Sequence, residues 1–169
     1  GVNGAAAGCL NEEDMRRGIV VTFENQSSVA MRRTQMGLVE VTETYASEDL
    51  TIKFTGQHGL YFTEEVTLRA ARPENASRLE IVFDTSATPL PEPAIGTFWS
   101  GSTTNIFPDG VQRSELYDVF FLEAPVTRIS GCDYETIHTI VEYRWPSDDY
   151  GVSLLYAYLP ALDTAYILS

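Results

Sequence analysis

Ile137-His138-Thr139-Ile140-Val141-Glu142-Tyr143-Arg144-Trp145, followed by Pro146-Ser147-Asp148-Asp149-Tyr150-Gly151 and then Val152-Ser153-Leu154-Leu155-Tyr156-Ala157-Tyr158-Leu159, is the stretch that decides the fold. Ile137, Val141, Tyr143 and Trp145 fall on one face of a period-two pattern, opposed by His138, Glu142 and Arg144. A two-residue period puts alternate side chains on opposite faces of a strand, and β-branched and aromatic residues suit a pleated surface. The Pro-Ser-Asp-Asp segment is turn chemistry. The stretch therefore reads as an antiparallel hairpin.

The same reading extends in both directions. Ile19, Val21 and Phe23 share a face. Val39, Val41 and Tyr45 alternate with Glu40, Thr42 and Thr44, and Ile52 and Phe54 alternate with Thr51, Lys53 and Thr55. Phe62, Val66 and Leu68 continue the pattern over 60–68, and Leu79, Ile81 and Phe83 over 79–83. Residues 116–122 are apolar on both faces, as a central strand requires, and 164–168 form a last short strand. Ser47-Glu48-Asp49, Gln57-His58-Gly59 and Phe107-Pro108-Asp109-Gly110 are turns; Trp99-Ser100-Gly101-Ser102 reads as a polar turn after a buried aromatic.

One helix stands apart. Asn11 can cap it, Glu12, Glu13 and Asp14 fill its first turn, Arg16 and Arg17 its last, and Gly18 can end it. Pro89, Pro91 and Pro93 make residues 86–95 an extended connector, because proline cannot donate to a ladder. A strand, an acidic turn and an apolar strand occur around Ser47-Glu48-Asp49 and again around Ser147-Asp148-Asp149, two hairpin units of one design. The expectation is an all-β protein: an antiparallel curved sheet or partly open barrel from two hairpin-rich halves, with a two-sheet sandwich as the alternative. Residues 1–10 read as a flexible tail and 11–169 as a single β domain.

The chain has 169 residues, 11 basic and 24 acidic, a net charge of −13. That charge repels phosphate backbones and anionic lipid, which excludes nucleic acid as a partner. No run approaches the roughly 20 apolar residues of a membrane span. The two cysteines, Cys9 and Cys132, read as one structural disulfide, which points to the periplasm or the exterior. Two alternatives stay open: Ala6-Ala7-Gly8-Cys9 as the end of a lipoprotein box with a lipid on Cys9, or two free thiols. The small-residue opening, 1–8, reads as the start of a mature exported chain.

The cysteine, acidic turn and Gly18-Ile19 before the first strand, the Gly131-Cys132-Asp133-Tyr134 segment, and Tyr158-Leu159-Pro160-Ala161-Leu162 with Tyr166 resemble a group of uncharacterised exported, periplasmic proteins of alphaproteobacteria. The resemblance implies the compartment and the paired cysteines, and no activity.

Motifs for catalysis are lacking. His58 and His138 have no metal-ligand spacing, so neither a metal nor another cofactor is expected. No Gly-x-Ser-x-Gly elbow occurs. Neighbouring carboxylates such as Glu64/Glu65 and Asp148/Asp149 point to opposite faces of a strand and do not make a glycosidase pair, and the calcium-loop pattern is absent. Aromatics crowd the last 30 residues. Tyr156 and Tyr158 share a face with Val152 and Leu154 while Leu155 and Leu159 take the other, so both faces need cover. These two tyrosines are the candidate ligand-binding residues. The functional expectation is a non-catalytic envelope protein that binds a small apolar, lipid-like or glycan ligand, or an envelope protein, on a concave β surface. A hydrolase with an unrecognised site and a structural accessory are the competing readings.

Overall fold

The structure, a computed structural model, describes residues 8–169. The part of the expected tail formed by residues 1–7 lies outside them. Helix α1 (Glu12–Arg17) forms as its caps dictate: the Asn11 side chain accepts from the backbone N–H groups of Glu13 and Asp14, and Asp14 accepts in return from the Asn11 N–H. This reciprocal pairing satisfies N–H groups that a helix start leaves open. Met15 is fully buried, so α1 is held by its one apolar contact.

Fourteen strands follow: β1 (Ile19–Thr22), β2 (Ser28–Arg33), β3 (Val39–Tyr45), β4 (Leu50–Gln57), β5 (Tyr61–Arg69), β6 (Arg72–Pro73), β7 (Leu79–Phe83), β8 (Phe98–Ile106), β9 (Gln112–Glu123), β10 (Thr127–Ile129), β11 (Cys132–Tyr134), β12 (Ile137–Trp145), β13 (Tyr150–Leu159) and β14 (Thr164–Ile167). Twelve of them make one antiparallel sheet in the order β1-β2-β3-β4-β5-β7-β8-β9-β12-β13-β14, with β6 beside β5; β10 and β11 pair separately. The hydrogen-bonded path runs from β1 to β14 and does not close. One continuous curved sheet therefore forms, not two separate sheets.

The deciding stretch folds as read, β12 against β13 with Trp145 opposite Tyr150. Its echo is structural as well. Tyr45 pairs with Leu50 and Val41 with Phe54 in the β3–β4 hairpin; one hundred positions on, Trp145 pairs with Tyr150 and Val141 with Leu154. Each hairpin turns through a short 3₁₀ segment, 46–48 or 146–148, into a left-handed aspartate, Asp49 (φ 48°) or Asp149 (φ 49°). The β1–β2 and β8–β9 turns also match. Phe23 N–H donates to Ser27 O and Phe107 N–H to Val111 O, each at 2.9 Å, and Asn25 and Asp109 accept from the residue two further on. The succession β1 to β5 thus recurs as β8, β9, β12, β13 and β14, the two hairpin-rich halves of the expected architecture.

One expectation needs correction. Residues 99–102 are not a turn but part of β8, where Gly101 leaves room for the Trp99 ring that folds over it. The Pro-rich connector joins β7 and β8, which pair in one sheet. The connector is fixed from within: Tyr61 Oη donates to Pro91 O (2.7 Å) and Trp99 Nε1 to Thr88 O (3.0 Å).

The ends of the sheet overlap. Register puts Val29, Met31 and Arg33 on the concave face with Val41, and Thr164 and Tyr166 on the convex face of β14 with Ala157 and Leu159. Yet Thr164 Oγ1 lies 3.4 Å from Met31 Sδ, and the rings of Phe23 and Tyr166 are 5.9 Å apart. The concave side of β1–β2 therefore laps over the convex side of β14. This answers the need for cover on the second face of β13: the chain covers it itself, burying Ala157 and Leu159. Cys9 and Cys132 are bonded, with Cα atoms 5.7 Å apart, tying the segment before α1 to β11. Leu10 N–H donates to Tyr134 Oη at 2.8 Å beside the bridge. With its sulfur in this bond, Cys9 is not available to the lipid-anchor alternative.

Candidate functional site

The concave face is not uniformly apolar. Along β3 the residues that follow Val39 and Val41 on that face are Glu43 and Tyr45; along β9 the face carries Glu115 beside Tyr117, Val119 and Phe121; along β8 it carries Thr103 and Asn105. β5 adds Glu65, which pairs with Phe54, and β12 and β13 add Tyr143 and Tyr156. The curvature of the sheet brings these together around a cavity of about 330 Å³, whose walls include Glu43, Glu65, Asn105, Glu115, Tyr143 and Tyr156.

Burial is deep for such polar groups. Glu43 and Glu115 are each 5% exposed and Asn105 is 8% exposed. Tyr45 Oη donates to Glu43, and Asn105 Nδ2 donates to Glu115. Burial pushes the Glu43 carboxyl above its usual range, against the hydrogen bond from Tyr45. Burial likewise raises Glu115, against hydrogen bonds from Asn105 and Trp145 and the charge of Arg113. Glu65 is raised by burial and further by the charges of Glu43 and Glu115. Three carboxylates face one space, and the charges of Glu43 and Glu115 disfavour ionisation of Glu65.

On the concave side Asn105 Oδ1, Thr103 Oγ1, Tyr117 Oη and Thr139 Oγ1 are buried and have no hydrogen-bond partner among the described residues. Most buried polar groups are paired, and each exception calls for an explanation such as an ordered water or a ligand. Asn105 Oδ1 belongs to a residue of the cavity wall itself.

Tyr156 and Tyr158 share the concave face but enter different surroundings. Tyr156 lines the cavity. Tyr158 donates to Asp163 Oδ1 at 2.6 Å, and His58 Nδ1 approaches the same oxygen at 2.6 Å. Arg33 Nη2 donates to the Leu162 and Asp163 carbonyls at 2.9 and 2.8 Å. Burial opposes ionisation of Asp163, but the hydrogen bonds from His58 and Tyr158 and the charges of His58 and Arg33 outweigh it and hold the carboxyl below its usual range. The other ring nitrogen of His58 faces Glu92 at 3.3 Å. Among the described residues no serine or threonine hydroxyl hydrogen-bonds His58; the partners of the His–Asp pair come from β2, the connector and β13. The group clasps the overlapping ends of the sheet.

Among the described residues no group of three His, Cys, Asp or Glu side chains is arranged to hold a metal ion, and no helix is long and apolar enough to cross a membrane. No family model, curated protein or solved structure matches this chain.

The sequence reading set Glu65 aside with its neighbour Glu64 and passed over Glu43 and Glu115. The signal that would have found them is parity: Glu43 stands two positions after Val41, and Glu115 two before Tyr117, on faces otherwise buried.

Proposed function

We propose that this is an exported, non-catalytic binding protein that takes a small ligand in the cavity between β3, β5, β9 and β13. The observation that carries the reading is the unpartnered Oδ1 of Asn105 in the wall of a 330 Å³ space, a volume within the range of small-molecule sites. Export is supported by the Cys9–Cys132 bond, because such bonds persist in oxidising compartments. A binding rather than hydrolytic role is supported by the His58–Asp163 pair, whose neighbours are Tyr158, Arg33 and Glu92. Carboxylates in the wall favour a polar ligand over an acyl chain.

Saturation-transfer NMR against decanoate, short glycans and small amines tests the reading, comparing the wild type with Leu79→Trp, which places an indole in the cavity wall. The expected result is a compound bound with a Kd below about 1 mM that the variant loses. Binding by none of them, or equal binding by both proteins, counts against the cavity. A second reading, an accessory of an envelope complex, draws on the convex face, where Phe98 is 56% and Leu122 45% exposed beside Phe120. Light scattering that shows association, abolished by Phe98→Ser, would favour it.

A further inference from the structure

The charge of the cavity specifies its ligand further. Glu43 has the Tyr45 hydroxyl and Glu115 the Asn105 amide, but Glu65 has no hydrogen bond or ion pair to any described residue. No lysine or arginine lines the space. Among the described residues Arg113 is the one cation whose charge acts on any of the three carboxylates; it acts on Glu115 alone and is paired with Asp148. Beside the phenol hydroxyls of Tyr143 and Tyr156, the open polar atoms of the wall are acceptors. A carboxylate accepts, and because Asn105 Nδ2 is turned to Glu115, its free atom is the carbonyl oxygen, which also accepts. A ligand that donates and carries positive charge complements these carboxylates and the Asn105 carbonyl. Aliphatic side chains and the rings of Tyr45, Phe54, Phe62, Tyr143 and Tyr156 make up the rest of the wall, and ring faces attract cations. An anion would meet three carboxylates, and a bare metal ion would lack a converging ligand set.

Resting on the reading of this cavity as a ligand site, we propose that it binds a small organic cation, an alkyl- or arylammonium group, with its nitrogen at Glu65 and Asn105 and its carbon frame on the tyrosine and phenylalanine rings. Selectivity lies in the charge. An uncharged molecule of the same shape fills the space but leaves the carboxylates unbalanced. Binding weakens in acid, as the carboxylates take up protons.

Calorimetry at pH 7.5 and low salt tests this with two pairs of probes: phenethylammonium against 2-phenylethanol, and choline against 3,3-dimethylbutan-1-ol. At least one cation should bind about tenfold or more tighter than its uncharged isostere. Glu65→Gln, which keeps the shape and removes the charge, should abolish that preference without lowering the melting temperature; Glu115→Gln serves if the first variant does not fold. An alcohol bound as tightly as its ammonium partner, or a preference unchanged in both variants, overturns the cation assignment. So does decanoate or a glycan binding where neither cation does, though the cavity then stands as a site. If nothing binds, the cavity reading falls with it.

Discussion

Replacing Cys9 by serine and Cys132 by alanine cuts the one covalent cross-link, which spans 123 positions of sequence. In the chain-entropy treatment, freeing a loop of that length returns to the unfolded state about 5 kcal/mol of conformational freedom. That is a third or more of the roughly 5–15 kcal/mol by which domains are stable. The native state loses organisation as well: the segment held by the bridge carries Leu10, bonded to Tyr134, and the fully buried Met15. For a domain of this size about 1 kcal/mol moves the midpoint by roughly 3 °C, so the melting temperature should fall by about 15 °C. Scanning calorimetry of the oxidised wild type against the double variant measures it. A difference under about 3 °C would refute the reasoning, since it would mean that the bridge closes a loop already closed by packing.

Other expectations follow from single contacts. Gly56 lies at the register shift between β4 and β5, where an added Cβ would run into the Tyr61 carbonyl backbone; Gly56→Ala should cost at least about 2 kcal/mol in chemical denaturation. Deleting residues 163–169 removes Asp163 from the clasp and the buried Thr164, Ala165 and Tyr166, and should abolish soluble expression. The pH profile should have two limbs. Glu43, Glu65 and Glu115 hold protons above their ordinary 4.5, so between 4.5 and their raised values the folded state binds more protons than the unfolded, and stability rises as pH falls. Asp163 is held below its ordinary 3.8, so its contribution is present above that value and lost as pH drops through its folded one. The melting temperature should therefore peak near about pH 4–5; a steady climb from pH 5 to 8 would contradict the raised carboxyls.

Strands β3, β7 and β12 were legible because their faces are exposed and buried by turns, whereas β4 and β13, which do not alternate in burial, were legible from the period of their residue types. α1 was legible because both its caps are written locally. β8 was not, since Ser100, Gly101 and Ser102 suit a turn and only the neighbours Phe83 and Tyr117 make a strand of them. The overlap of β1–β2 on β14 was invisible too. It depends on how far the sheet curls, and no local pattern encodes that. At the site, Tyr156 was reachable by its crowding with other aromatics, whereas Glu43, Glu65 and Glu115 come from three separate strands and meet only once the sheet bends.

The proposed binding of a cation beside the three cavity carboxylates is put to the test by following the side-chain carboxyl carbons of Glu43, Glu65 and Glu115 by NMR across a pH titration, with and without phenethylammonium. Without it, all three should titrate above 4.5 and Asp163 below 3.8. With it, the three glutamates should move down together while Asp163 stays in place. Glutamates that titrate at or below 4.5, or that do not respond to the cation, would contradict the account.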